Sequence, residues 1–447
     1  MIQWLTSAVR RTLVRNIMAL YGVRIVNQLL PLIIIPFLAR VLGPDGWGMV
    51  AMVQAFATYG IIAIEYGFEL TGARDVAKVR DETQSLAQLM AGILGAQAVV
   101  AVLVSTAAWL VQTMLPVFHD QPRLLFAGLA FAVVQGFYPI WYFVGQERVS
   151  LIAVLDTSVK VVAMLVIFAV VRTPDDGWLV LAAFAGAALT STMIGFALMI
   201  RETRPARLGP GLVGRTLRLG FSVFLMRIGV LMHTTGNVFL MGLLVAPQHV
   251  AFFAAGEKLC RPLAWMMHPV NTVLLPRISH LLGQRREEAR ALAGAALLVM
   301  AALGLAGGLV VGLAAPWLIP LVFGDQYLPA VTVMQVMAMI IPLTVLNGAM
   351  VSQWLIPHGL DRPLTAVVMA GAAANIVLAC LVVPRFEAIG MAWVTVGVEA
   401  GILAGLFRIA HRHGLRPIAL DVISRRRPVL GRHQPLGPQG PDDMGDG

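Results

Sequence analysis

Between its charged clusters the chain runs repeatedly through about 20 apolar residues, and a helix of that length, at about 1.5 Å per residue, crosses a hydrocarbon core roughly 30 Å thick. Twelve such runs can be delimited, at 17–39, 47–68, 88–114, 124–145, 150–171, 178–200, 217–244, 249–274, 291–318, 328–351, 363–384 and 387–409. In hydrocarbon every backbone polar group needs a partner within the protein, so each run is expected to be a helix. The predicted fold class is an all-α integral membrane protein with twelve transmembrane helices. With 58% hydrophobic and 13% charged residues, the chain could not cover its apolar surface as a water-facing globule.

The 33 lysines and arginines sort by side. With the N-terminus in the cytoplasm, 24 of them fall inside and only Arg40, Arg123, Arg172 and Arg385 fall opposite, as the positive-inside rule requires. Both termini are expected in the cytoplasm. The same sorting accounts for the net charge of +10, so no nucleic acid partner is expected. The first run is too long for a cleavable leader. Cys260 and Cys380 lie inside predicted spans and suggest neither a disulfide nor a zinc site, and His411 and His413 stand without a carboxylate or thiol cluster. No phosphate loop, nucleophile elbow or metalloprotease helix occurs, which points to a transporter and not an enzyme, with no cofactor or metal.

Residues 1–15 place Ile2, Leu5 and Val9 at helical spacing beside arginines, as in an amphipathic helix lying on the membrane surface. Residues 16–200 form a first lobe of six helices, 201–216 a Pro/Gly-rich cytoplasmic linker, 217–410 a second lobe of six, and 411–447 a basic tail. From about 425 that tail has too little apolar surface to offset the cost of ordering. Sliding one half over the other by 203 residues brings Arg24 onto Arg227, Pro44 onto Pro247 and Arg74 onto Arg277. Because each half holds an even number of spans, the repeat is parallel, and a central cavity between the two lobes is expected.

Five cations remain inside the spans: Arg24, Lys160, Arg227, Lys258 and Arg261. A cation facing lipid at the bilayer centre costs about 2.5 to 3.5 kcal/mol, so these must face protein or water. Arg24, Asn27, Gln28 and Pro31 fall on one stripe of the first span. Glu257, Lys258 and Arg261 cluster in the eighth, ahead of Pro262 and Pro269, and the seventh contributes Arg227, His233 and Asn237. Asp156 with Lys160, and Glu257 with Arg261, stand at i, i+4, so each pair can neutralise itself. Arg24 and Arg227 have no acid at that spacing. Their partner is either a distant acid, such as Glu65, Glu69 or Glu399, or a substrate. A wet cavity with excess positive charge would gather anions, with phosphate or pyrophosphate the natural guest of arginine forks. Arg24, Arg227, Lys258 and Arg261 are thus the candidate substrate-binding cations, with Asn27, Gln28, Glu65, Glu69, His233, Asn237 and Glu257 as candidate lining.

Ala39-Arg40-Val41-Leu42-Gly43-Pro44 with Gly48 resembles the A-R-x-L-G-x-x-x-x-G signature of polysaccharide-export flippases. Glu65-Tyr66-Gly67, then Ala73-Arg74-Asp75-Val76-Ala77, resembles that family's acidic-x-Gly and A-R-x-V/I-A pattern. Trp141 to Glu147 resembles its W-x-x-x-G-x-E box, and Lys258 with Pro276-Arg277-Ile278-Ser279 its second-half equivalents. The family is that of the Wzx-type lipid-linked oligosaccharide flippases, within the multidrug/oligosaccharidyl-lipid/polysaccharide exporter superfamily. The resemblance implies movement of an undecaprenyl-pyrophosphate-linked sugar unit to the outer leaflet by alternating access. Its implied partners are that polyprenyl-pyrophosphate-linked glycan, membrane lipids and the polymerase or glycosyltransferase machinery. It leaves open whether a proton or sodium ion is coupled. In the related lipid II flippases, arginines of the first and eighth helices correspond to Arg24 and Arg261, but their two additional C-terminal helices are missing here. A drug or metabolite antiporter of the same superfamily would carry cavity acids where the first span has Arg24. A polymerase component would carry a large outer loop where every outer loop here is short.

Overall fold

The computed structural model describes the backbone of residues 7–415 and 417, apart from 115, 120, 210 and 235. Side chains are described from Leu30 onward, apart from 115–117, 120, 210, 230, 232–235, 416 and those after 417. The side chains of Arg24, Asn27, Gln28 and His233, residues 1–6 of the expected surface helix, and the tail from 418 therefore lie outside the described residues.

Helices make up the fold, and no strand occurs among the described residues. In order they are α1 (Ser7–Glu65), α2 (Phe68–Val79), α3 (Thr83–Met114), α4 (Pro116–His119), α5 (Pro122–Gly136), α6 (Ile140–Gly145), α7 (Val149–Val170), α8 (Gly177–Glu202), α9 (Leu212–Thr234), α10 (Gly236–Gly242), α11 (Pro247–Trp265), α12 (His268–Gln284), α13 (Arg286–Phe323), α14 (Ala330–Met337), α15 (Ile340–Ala349) and α16 (Asp361–Arg412). Eight segments of the described chain are long and apolar enough to cross a membrane, which makes this a multi-pass α-helical membrane protein. Two of the eight, Leu30–Val79 and Asp361–Arg412, contain a sharp break at Gly43 or Glu387 and so hold more than one helix each. The predicted eighth span falls below that apolarity, because Glu257, Lys258 and Arg261 dilute α11. Part of the predicted seventh lies outside the described residues.

The breaks have physical causes. Gly43 (φ 68°, ψ 177°) occupies a region open essentially to glycine alone, which lets α1 reverse at the 40–46 hairpin before Pro44 starts its second half. At the other end of that half, Tyr66 and Gly67 both take positive φ, turning the chain into α2. Asp176 accepts the backbone N–H groups of Arg172 (2.9 Å) and Thr173 (2.8 Å), which caps the turn before α8 and holds its carboxyl below the usual range.

Helix starts recur at the offset of 203 residues (247 − 44). Pro44 opens the second half of α1 as Pro247 opens α11, Thr83 opens α3 as Arg286 opens α13, and Pro122 opens α5 as Asp325 opens the 3₁₀ turn before α14. The interruption between α1 and α2 likewise has its counterpart between α11 and α12. Beyond that point the offset drifts, since the π-helical turn Met350–Leu355 and the turn Ile356–His358 lengthen the second half before α16.

Two kinds of contact hold these helices together. Small residues let backbones approach: a Cβ on Gly128 would overlap Val53, and one on Gly145 would lie 2.7 Å from the Ala73 carbonyl. The second kind is a buried polar network in the 212–412 half. Asn237 of α10, fully buried, donates to Thr395 (3.1 Å) and accepts from Asn375 (2.7 Å), tying α10 to both halves of α16. In the same half Asn347 donates to Glu399 (2.7 Å), and Gln353 donates to Asn271 (3.0 Å).

Two predictions follow from this packing. Gly43→Ala meets only ordinary contact at the new Cβ, so its cost is backbone strain, about 1–3 kcal/mol, read as a lower Tm in detergent. Gly397→Ala, a helical glycine facing open space, should raise the Tm slightly. Equal shifts for the two would contradict the strain at Gly43. Asn237→Leu leaves the Asn375 amide without its acceptor and should cost about 1–3 kcal/mol. The double variant with Asn375→Leu should lose less than the sum of the two, and strict additivity would contradict the network.

Candidate functional site

The two halves of the chain meet along a seam running the length of the second half of α1. At the hairpin end, Arg40 donates to the carbonyl of Leu321, and Gln326 donates to that of Ala39 (3.0 Å). A Cβ on Gly48 would overlap the carbonyl of Pro247. Further along, Met52 fills the space above Gly242 and the Tyr59 hydroxyl sits against Gly236, with Phe56 and Tyr59 both packed on Phe239 at 5.5 and 5.7 Å. At the linker end, Tyr66 stacks on Phe224 with ring centroids 4.7 Å apart and planes 8° from parallel, while Gly67 and Gly220 leave room for the approach. Glycine on one side and a large residue on the other is the recurring device. It places side chains where a gap between the halves would otherwise run.

The first of the motifs that carry the family resemblance lies at the hairpin end of this seam, and Glu65-Tyr66-Gly67 lies at the linker end. In the first, Ala39 and Arg40 supply hairpin-end contacts, Gly43 the break and Gly48 the close approach. The Trp141–Glu147 box packs α6 on α2, with Gly145 against Val76 and Arg80 pairing with Glu147 at 3.2 Å.

Arg227 lies at the linker end, directly beside this stack. Its Nη1 is 3.2 Å from Glu65 and its Nη2 is 3.0 Å from Glu69. Among the described residues this is the one ion pair that joins the two halves. The spacing of residues on α9 gave Arg227 no partner of its own, and the fold brings two acids from across the seam. One arginine thus meets two carboxyl groups. Arg227 Nη1 is shielded from solvent and forms no aligned hydrogen bond, which leaves donor capacity unused.

Arg261 behaves differently. It pairs with Glu257 one turn back on α11, Nη2 at 2.8 Å and Nε donating at 3.0 Å, with both side chains about nine-tenths buried. Removing one partner of such a pair costs about 3–5 kcal/mol, because the other is left charged and unmatched. Lys160 likewise pairs with Asp156 at 2.6 Å. Asn237, fully buried, is committed to the network with Thr395 and Asn375.

Lys258 has no ion pair or hydrogen bond among the described residues. It reaches from α11 into a cavity of about 240 Å³ whose other walls come from α1, α5, α7 and α8. Lys160, Trp47, Gln54 and Gln135 contribute the remaining polar groups, and Phe131 and Phe184 are among the apolar ones. The expected shared vestibule of cations is thus divided. Arg227 is clamped at the linker end, Arg261 is matched within its own helix, and Lys258 faces a small cavity together with Lys160. In low dielectric, close packing and charge neutralisation favour this division when the lobes are together. Sequence spacing could not show Trp47 or Gln135 beside that cavity, since neither lies on a charged stripe.

Comparison with known proteins agrees with this architecture. A family described as Polysaccharide biosynthesis protein matches residues 13–282. A protein of Escherichia coli (strain K12) described as "Putative O-antigen transporter" is 26% identical over 389 residues, 86% of this chain and 93% of that one. A protein of the same description from Shigella dysenteriae is 23% identical, over 84% of this chain and 94% of its own. Among solved structures, lipid II flippase MurJ in an inward closed conformation superposes with a TM-score of 0.67 over 92% of this chain and 91% of that one, at 10% identity, a likeness of fold alone. The chain belongs to the polysaccharide biosynthesis protein family, a group of Wzx-type membrane transporters within the multidrug/oligosaccharidyl-lipid/polysaccharide exporter superfamily.

Proposed function

We propose that this chain flips an undecaprenyl-pyrophosphate-linked polysaccharide repeat unit from the cytoplasmic to the outer leaflet of the inner membrane by alternating access. In this reading twelve helices cross the membrane, six per lobe, and the linker end of the seam faces the cytoplasm. The positive-inside sorting of 24 cations against four supports that orientation. The structure described above is then a state closed at both ends.

The observation that carries the reading is the clamp of Arg227 by Glu65 and Glu69 across the seam. For the lobes to part at the linker end, Arg227 must leave two carboxylates, and a guanidinium stranded in hydrocarbon is costly. An incoming pyrophosphate is an anion of matching fork geometry and offers Arg227 a replacement partner. Opening and cargo capture become one exchange of partners. The membrane potential assists the outward step, by about 2.3 kcal/mol per negative charge per 100 mV when the cytoplasm is negative.

Arg227→Ala should abolish surface polysaccharide while leaving membrane abundance near normal, measured by glycan staining and immunoblotting of the same cells. Arg227→Lys keeps the charge but loses the fork, so it should export at a reduced rate if bidentate contact matters. Arg24→Ala and Arg261→Ala are expected to fail as well. Wild-type export by Arg227→Ala would contradict the partner exchange.

A further inference from the structure

The linker between the two halves carries charge that no acid of the described chain balances. From Arg201 to Arg218 it holds five arginines and one acid, Glu202. That acid is already taken, by the Arg148 guanidinium and by the Tyr142 hydroxyl at 2.7 Å. Arg201, Arg204, Arg207, Arg215 and Arg218 are all exposed, and none forms an ion pair among the described residues. Elsewhere on the same face cations are interleaved with acids: Arg74 and Lys78 pair with Asp75, Arg80 with Glu147, and Arg285 with Glu288. Membrane topology accounts for the side on which all these cations lie. It does not account for a cluster left without acids.

The linker is also held against the protein and does not stand off it. The N–H of Ala206 donates to the carbonyl of Ala87 on α3 (3.0 Å). Leu208 and Val213 close over Gly95, and Leu212 and Thr216 close over Gly92. Ala87 to Gly95 is about 12 Å of α3, at about 1.5 Å per residue. The candidate spans Thr83–Met114 and Pro174–Glu202 both end on this side, so the linker is seated where they leave the hydrocarbon. Exposed apolar side chains stand among its arginines, with Leu208, Leu219 and Phe221 at 59%, 70% and 50% exposure. Guanidinium forks match phosphate oxygens, and leucine and phenylalanine beside them match acyl chains. A free anion or an acidic protein surface would meet the charges and leave the apolar groups uncovered.

We propose that residues 204–218 form a docking site for anionic phospholipid of the cytoplasmic leaflet, whose headgroup phosphates are held by Arg204, Arg207, Arg215 and Arg218. The leaflet follows from the orientation given by the flippase reading, and its negative surface supplies the complementary charge. From this site α9 runs on through Gly220 and Phe224 to Arg227. Lipid bound at its start thus braces the helix that carries the clamp against α3.

Native mass spectrometry of the purified full chain in detergent tests this, with phosphatidylglycerol and phosphatidylcholine of identical acyl chains as probes. The wild type should retain phosphatidylglycerol about tenfold more strongly than phosphatidylcholine. The fourfold variant Arg204→Gln, Arg207→Gln, Arg215→Gln, Arg218→Gln should lose that preference. A control that removes as much charge from acid-paired positions, Arg74→Gln, Lys78→Gln, Arg80→Gln, Arg285→Gln, should keep it. Should the fourfold linker variant fail to fold, Arg204→Gln with Arg207→Gln, and Arg215→Gln with Arg218→Gln, should each weaken the preference. No preference in the wild type, an undiminished one in the linker variants, or an equal loss in the control would overturn the proposal. So would displacement of the lipid by inorganic phosphate or by polyglutamate at equal charge, which would assign the arginines to a free anion or to an acidic protein. Those outcomes leave the flippase reading standing, because loss of export by Arg227→Ala is measured in cells and owes nothing to added lipid.

Discussion

A charge inside a bilayer must have a counter-charge or water, and this protein is arranged around that constraint. Four of its five intramembrane cations have described side chains. Three are matched by acids, two within a single helix turn and one across the seam between the halves. A pair within one helix moves as a unit and costs nothing extra when the lobes separate. The pair across the seam cannot. Arg227 therefore couples the electrostatic ledger to the conformation, while Arg261 and Lys160 carry their own neutralisation through any rearrangement.

The seam itself is made of short-range contacts. Its interactions are small residues against large ones, an aromatic stack and a few hydrogen bonds to backbone carbonyls. Helices in lipid gain little from hydrophobicity against one another, so such packing is strong only while the fit is close. Moving Gly48 away from Pro247, or Tyr66 away from Phe224, gives up the contact over a short distance. The polar networks of Asn237, Asn375 and Thr395, and of Asn347 and Glu399, lie wholly within one half, which lets that half move as a rigid body.

Much of this was legible in the sequence. Apolar run length gave the helices, and the hairpins fell near the turns that Gly43 and Glu387 make. The i, i+4 spacing anticipated both intrahelical pairs, Asp156 with Lys160 and Glu257 with Arg261. For Arg227 the sequence could say only that no partner lay on its own helix, and Glu65 and Glu69 were among the distant acids open to it. Spacing along one helix carries no information about which helix lies opposite. For the same reason Asn237, expected to line a cavity, turned out to bind Thr395 and Asn375 from a helix far along the chain. Trp47 and Gln135 gave no signal at all, since an indole or amide among apolar residues reads as core. The interruption at Met266–Met267 was also beyond hydropathy, which averages over such turns.

Arg227, held by Glu65 and Glu69, ties the two halves together at the linker end. Spin labels at the exposed positions 74, on α2, and 219, on α9, report that separation directly by electron–electron dipolar spectroscopy in lipid nanodiscs. Replacing Arg227 by Gln should broaden the distance distribution toward longer values, with the short-distance population of the wild type reduced. An unchanged distribution would mean that the halves are held by packing alone and that the ion pair has no part in gating.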